Sequence, residues 1–434
     1  MALFPDGVNI ENFKKLNQQF KSKDLNKTVI SDSILKKLQN KSLIEENSNR
    51  IKLQSIIGRF AEEQFKKREN QTVFFDSVFK FNNSIADFLS DLSNDTAIKK
   101  QTLALKIFEE NQNNFLKAIS YVGLCSQKNE MKVNFIAKIG HLFLAICSLS
   151  NFIKILSDNK SIFSGVYLSA VECVIEKSRY FDGHFSSAHQ NIQKMTSLDS
   201  LQHMDRECSM GNIVFFSALS IYSMEGNQAY LYSILNAKSE QEHKAIEGVD
   251  IGIFDVDAPR KGGLAYFDFK YLTNNLELEE IDEYLSLIHK KEHLDLIQIS
   301  YVRAKLKPYN KEYINQLVVV NPYTFGLKNL MLAFCECDLV KAKEYYQKAV
   351  DNLEHIKYYY VEGLYWYAIF LKKHNMEEYN DIYLNGYNLA KRYHYRYLHY
   401  LFDELEKPSG LIYNPKHYPL PDLKSLGVTE TNTM

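Results

Sequence analysis

Tyr180-Phe181-Asp182-Gly183-His184-Phe185-Ser186-Ser187-Ala188, followed by Ile192 and Met195, reads as a tight turn running into a helix with small and apolar residues at i, i+4 and i+7. Ala342, Tyr346 and Ala349 repeat that spacing after Cys337-Asp338-Leu339, and Tyr383, Tyr387 and Ala390 repeat it again. A small residue lets two antiparallel helices touch, and a large ring one turn away fills the gap to the next pair. The pattern therefore predicts an all-α chain of stacked helical hairpins. Such arrays form concave surfaces for peptides and proteins and seldom carry catalysis, so no enzymatic activity is expected.

The hairpins recur at roughly 40 residues, slightly longer than the 34 of the commonest tetratricopeptide-type repeat. Pairs are predicted near 164–195, 211–238, 264–289, 293–319, 323–353 and 359–393, with a last helix to about 406. Pro308, Pro322 and Gly326 fall at the predicted hairpin turns. The expected organisation is a head over 1–70, helical linker or first repeats over 71–160, a tetratricopeptide-like right-handed superhelix over 161–406, and a tail over 407–434. Within 74–160 the predicted apolar faces include Leu103, Ile107, Phe115, Ile119 and Val122. Glu247 to Gly263 reads as a long loop or a β-hairpin. Pro408, Pro415, Pro419 and Pro421 predict an extended, partly disordered tail.

With 434 residues, 45% hydrophobic and 24% charged, the composition is that of a soluble globular protein. The most apolar run, Leu142 to Leu156, is too short to span a membrane, and no secretion signal is read at the N-terminus. The six cysteines are scattered without a C-x-x-C pair, which predicts reduced thiols, a cytoplasmic location and no metal or cofactor. Charge is uneven. Residues 1–70 hold 14 Lys/Arg against 9 Asp/Glu, a net of +5, while the remainder holds 38 against 44, a net of −6. A basic head suits an anionic partner.

Within that head, Leu25 to Lys41 has the arrangement of a helix-turn-helix. Ser31 is placed to cap a short helix whose Ile34, Leu35 and Leu38 face inward. Ser31, Asp32, Ser33, Lys36, Lys37, Asn40 and Lys41 are the candidate DNA-binding residues, since a recognition helix must reach bases and phosphates. A further helix with Ile51, Ile56 and Phe60 inward is expected behind it. Val29 departs from the glycine usual in such turns. A plain amphipathic helix with a solvated basic face accounts for the same residues.

Taken together, Asn26–Lys41, the helical stretches Ile98–Leu105 and Ser120–Cys125, and the repeats over 164–237 and 264–319 resemble the peptide-pheromone receptors of the Rap/Rgg/PlcR type, most closely the arbitrium receptors (AimR-like) of temperate phages. About three-quarters of the chain is covered, with no single diagnostic motif and with a longer C-terminus than those receptors have. The resemblance implies a transcription regulator of quorum-sensing or lysis-lysogeny type. It would bind a double-stranded DNA operator as a homodimer and respond to a short signalling peptide held in the concave groove. Asn amides and Arg guanidinium groups grip peptide backbones and terminal carboxylates. The candidates are Arg179, Arg206, Asn212, Asn274, Arg303 and Asn329, each of which is also explained as a solvated surface residue.

Three chemical patterns compete. Asp250, Asp268 and Lys270 fit the strands of a PD-(D/E)xK-type nuclease, with the carboxylates holding Mg²⁺ and the lysine beside the attacking water. The flanking residues also fit a repeat. His289-Lys290-Lys291-Glu292-His293 matches an inverted zinc-peptidase pattern at a predicted turn. Arg392 and His399 have the spacing of some helical ribonucleases. On one helix, however, Tyr393, Tyr397 and Leu401 would form a core face, with Lys391, Arg392 and Arg396 solvated. An interaction scaffold whose head never touches DNA remains the first alternative, and the nuclease the second.

Overall fold

The computed structural model describes residues 2–12, 32–47, 50–66, 71–93, 98–146, 149–184, 267, 271, 276–288, 293–319, 321–410, 413, 417 and 418. These residues are mostly helical, as the hairpin pattern predicts, with one small sheet near the N-terminus. The chain divides into two compact units. The first is Met1–Asn94 with Lys99–Leu142 and Asn151–Ser164, and the second is Asp95–Ile98 with Phe143–Ser150 and Gly165–Met434. No helix among the described residues is long and apolar enough to cross a membrane.

The chain opens with strand β1 (Val8–Asn9), helix α1 (Asp32–Asn40), strands β2 (Ile44–Asn47) and β3 (Arg50–Leu53), and helices α2 (Ser55–Lys66) and α3 (Gln71–Ser93). It continues through α4 (Ile98–Glu109), α5 (Gln112–Ser120), a 3-10 turn (Val122–Leu124), α6 (Asn129–Ile146) and α7 (Leu149–Asn159). The strands form an antiparallel sheet of order β1-β3-β2, in which Val8 faces Ile51 and Glu45 faces Lys52. Val8, Ile44 and Ile51 are buried, as is Leu35 of α1.

This sheet corrects the expected third helix of the head. Ile51 is buried, but on a strand, and α2 begins only at Ser55. That start turns Ile56 and Phe60 outward, 82% and 61% exposed. A one-position shift likewise exposes Leu103, while Ala104 and Phe108 take the inner face of α4.

Polar bonds tie the N-terminal segment to α5. The Asp6 carboxylate accepts from the Asn113 and Asn114 backbone N–H groups at 2.7 and 3.2 Å, capping a helix whose own N-cap, Asn111, makes no side-chain cap bond. In return Asn114 Oδ1 accepts from the Asp6 N–H at 3.0 Å, and Asn114 Nδ2 donates to Gly7 O at 3.0 Å. The Arg50 guanidinium donates to Gly7 O, Glu110 O and Asn111 Oδ1 at 3.0, 3.2 and 2.9 Å, which joins β3 to the same corner. Gly7 is required there. Its φ is +77°, and a Cβ would lie 2.8 Å from Ile51 O. From α2, Glu62 accepts from Lys117 Nζ at 2.6 Å and from the Tyr121 hydroxyl.

The second unit contains α8 (Gly165–Phe181), α9 (Leu278–Ile288), α10 (His293–Leu306), α11 (Lys311–Gln316), α12 (Pro322–Cys335), α13 (Leu339–Leu353), α14 (Lys357–Lys373), α15 (Tyr379–Arg392) and α16 (Arg396–Glu406). The helix pairs expected at 323–353 and 359–393 and the last helix are present, while 293–319 holds α10 and the short α11. The pair at 211–238, the loop at Glu247–Gly263, residues 185–195 of the pair at 164–195, and all of 264–275 except Phe267 and Tyr271 lie outside the described residues. Asn321 and Thr324 form a capping box with Pro322 in the first turn of α12, and Asp338 caps α13 through the Val340 and Lys341 N–H groups. Ala342, Ala349 and Ala390 are fully buried, and the Tyr346 ring stacks on Tyr367 at 5.4 Å.

Two expectations change here. Gly326 is not at a turn. It is buried within α12, where a Cβ would lie 2.4 Å from Leu353 Cγ, so it serves as the small residue of a helix contact. The helix imagined through Tyr393 and Tyr397 is broken between them: His394 takes φ +57°, α15 ends at Arg392, and α16 starts at Arg396. Arg396 is consequently buried rather than solvated. Of the tail, Tyr418 donates to Asp403 Oδ2 at 2.9 Å, and Pro415, Pro419 and Pro421 lie outside the described residues.

The Asp6 cap has a measurable consequence. Asp6→Ala removes both acceptors from the start of α5 and is expected to lower stability by about 1–2 kcal/mol in urea unfolding. A loss below about 0.3 kcal/mol would show that the cap carries no weight.

Candidate functional site

In the first unit, α1 projects the basic residues. Leu35 anchors the helix, being 6% exposed, while Ser33, Lys36, Lys37, Asn40 and Lys41 are exposed. Asp32 opens the helix, and Ser31 lies outside the described residues, as do Val29 and residues 13–30, which would hold the preceding helix. The C-terminus of α1 closes with the Leu43 N–H on Leu38 O at 2.9 Å and the Ser42 N–H on Gln39 O at 2.8 Å. Ser42 takes φ +54°, the left-handed position where glycine is usual. The closure turns the chain directly into the β2–β3 hairpin, whose Glu45 and Lys52 pair across the strands at 3.2 Å. Lysines near this end also complement the helix dipole.

In the second unit, α13 and the C-terminal parts of α10, α12 and α14 surround a cavity of ≈ 510 Å³. Its wall is aromatic: Phe334, Tyr346, Trp366 and Phe370, with Phe334 and Trp366 edge-to-face at 5.2 Å. Trp366 is the single tryptophan of the chain, and its indole N–H is buried with no hydrogen-bond acceptor among the described residues. Lys305, Lys373 and His374 add positive or titratable groups, and Glu336 is paired with Lys311. Lys305 reaches Glu362 Oε1 at 3.3 Å, both side chains at least nine-tenths buried, and its ammonium lies 5.1 Å from the Tyr301 ring centroid. Burial, reinforced by the Glu362 carboxylate, pushes the Tyr301 hydroxyl well above its ordinary range.

The arginine and asparagine candidates fare unevenly. Arg303 is bonded through Nε and Nη2 to both oxygens of Asp282 at 2.8 and 3.0 Å and covers the Tyr309 ring at 4.1 Å, which links α10 to α9. Arg179 donates to Glu176 at 2.8 Å on α8. Asn329 is half-buried on α12. Arg206, Asn212 and Asn274 lie outside the described residues, as do Asp250, Asp268 and Lys270 of the nuclease pattern. Of the zinc-peptidase pattern only His293 is described, at the start of α10. Among the described residues no three His, Cys, Asp or Glu side chains are grouped to hold a metal. Cys125, Cys173, Cys335 and Cys337 are free thiols, and desolvation pushes Cys125 up to about 12. His399 is half-buried beneath the Tyr387 ring, and desolvation lowers its pKa.

The aromatic cavity escaped sequence reading, which looked for amide and guanidinium groups. The lone tryptophan on a first helix was the available signal.

The buried ion pair beside the cavity sets a test. Lys305→Met strands the Glu362 carboxylate and is expected to cost about 3–5 kcal/mol in urea unfolding, most of it recovered when Glu362→Gln is added. Equal losses in the single and double variants would contradict the pairing.

No protein-family model, curated protein or solved structure matches this chain significantly.

Proposed function

We propose that this protein is a DNA-binding transcription regulator whose activity is set by a short peptide. The observation that carries the reading is the exposure of Lys36, Lys37, Asn40 and Lys41 together along and just beyond α1, with Leu35 holding the other face in the core. Lysines on such a face neutralise phosphates, while Asn40 offers a donor and an acceptor to a base edge. The β2–β3 hairpin directly after α1 favours a winged form of the helix-turn-helix head. In this reading α1 enters the major groove and the hairpin flanks it.

The peptide belongs to the second unit. The aromatic cavity is suited to one large apolar side chain of a peptide. Lys373, exposed at its rim, adds positive charge, which favours an acidic or C-terminal carboxylate group. Binding there acts by population shift: the peptide favours one packing of the hairpins, and the DNA affinity changes with it. The tetratricopeptide-like superhelix, the homodimer, the cytoplasmic location and the place in a lysogeny or quorum decision follow from the arbitrium-type reading and stand or fall with it.

Gel shift against promoter fragments from the neighbouring genome tests the head. The expected result is a shift lost in Lys36→Glu and Lys37→Glu with helical content unchanged. An absence of any shift favours the interaction scaffold instead. Trp366 fluorescence tests the cavity separately, because a bound peptide must change the emission of the only indole. A peptide that alters DNA affinity yet leaves that emission unmoved would place its site elsewhere.

A further inference from the structure

We propose that a cavity of the first unit, walled by the N-terminal segment, the β2–β3 hairpin, α2 and α5, binds a small organic monocarboxylate with an apolar body. Its volume is ≈ 380 Å³, at the small end of the range for ligand pockets. The walls divide by chemistry. Phe4, Pro5 and Leu53 give an apolar side, and Glu45, Lys52, Arg59, Glu62 and Lys117 give a charged one. The apolar side is preformed. The Phe4 ring is buried and meets Phe81 edge-to-face at 5.6 Å, and the segment that carries it is held by the Asp6 bonds to α5. A wall already ordered lowers the cost of binding.

Charge names the head of the ligand. Lys52 is paired with Glu45 at 3.2 Å and Lys117 with Glu62 at 2.6 Å, and the second Glu62 oxygen accepts from the Tyr121 hydroxyl. Arg59 forms no ion pair or hydrogen bond with another described residue. Three cations therefore face two carboxylates, and the surplus charge is a guanidinium whose donors are open. That planar fork matches a carboxylate through two parallel bonds. A phosphate monoester would bring a further negative charge towards Glu45 and Glu62, which a single surplus cation does not offset. Room for the apolar body comes from α2. Gly58 lines the cavity, and a Cβ there would meet only Leu53 Cβ, at 3.8 Å, so the missing side chain is part of the open space. The site does not rest on the head binding DNA. Glu45 and Lys52 do belong to the hairpin that follows α1, so an occupant would brace that hairpin and reach the DNA-binding face of the proposed regulator.

Saturation-transfer NMR on the full chain, with benzoate, phenylacetate and hexanoate as probes, tests the site. At least one acid is expected to bind saturably at millimolar concentration, and its amide to bind about tenfold more weakly or worse. Arg59→Gln is expected to weaken the acid by about tenfold and leave the amide unchanged, with Arg59→Lys restoring part of the loss. Gly58→Leu fills the cavity from a helix position that does not require glycine. It is expected to abolish binding of acid and amide alike, with circular dichroism and melting temperature maintained. No binding by any of the three acids overturns the proposal. So does acid binding that either Arg59→Gln or Gly58→Leu leaves intact, because the ligand then sits elsewhere. Tighter binding of phenyl phosphate than of benzoate overturns the carboxylate assignment. A head that fails to shift DNA leaves all of these outcomes unaltered, so the two proposals fail separately.

Discussion

The corner where Asp6, Gly7, Arg50, Asn111 and Asn114 meet is the constraint on which the first unit depends. Three segments far apart in sequence share its bonds: the N-terminal turn, strand β3 and the start of α5. A helix start leaves backbone N–H groups without internal partners, and here a carboxylate more than a hundred residues away in sequence satisfies two of them. Because the charges are shared among several acceptors at once, the sheet cannot move without breaking the cap. The orientation of α1, which follows from its hairpin, is fixed through the same corner.

The second unit is held by a different economy. Its hairpins touch where side chains are smallest, at Gly326, Ala342, Ala349, Gly386 and Ala390, and rings fill the remaining volume. A Cβ at Gly386 would lie 2.3 Å from the Phe402 ring, so even one methyl group at such a contact forces a neighbour to shift. Where the rings of Phe334, Tyr346, Trp366 and Phe370 gather beside Ala304 and Ala333, the side chains do not fill the space and a cavity opens. The same packing rule thus builds the array and leaves the gap that a ligand can enter.

Much of the second unit was legible because helix–helix contacts impose a local period. The Ala342–Tyr346–Ala349 and Tyr383–Tyr387–Ala390 spacings, with Pro322 as a turn signal, placed α12 to α16 within a few residues. The head was legible only in part. Arg50-Ile51-Lys52-Leu53 alternates polar and apolar residues as a strand does, but four residues of alternation are easily absorbed into a helical pattern, which cost the assignment of Ile56 and Phe60. Long-range bonds such as Asp6 to Asn113 leave no periodic trace, and neither does a cavity whose walls come from four helices. Gly326 was misplaced because a glycine that breaks a helix and one that admits a neighbour look alike in sequence.

If α1 meets DNA, its affinity must come largely from lysines displacing counterions from phosphates. Fluorescence anisotropy of a labelled duplex, titrated with the full chain across a range of salt concentrations, reads that term directly. With Lys36, Lys37 and Lys41 on phosphates, log affinity is expected to fall against log salt with a slope of roughly −2 to −3 per head, and to lose about one unit when a single lysine is replaced by Ala. Binding that ignores salt, or no binding even at the lowest salt, would contradict the account.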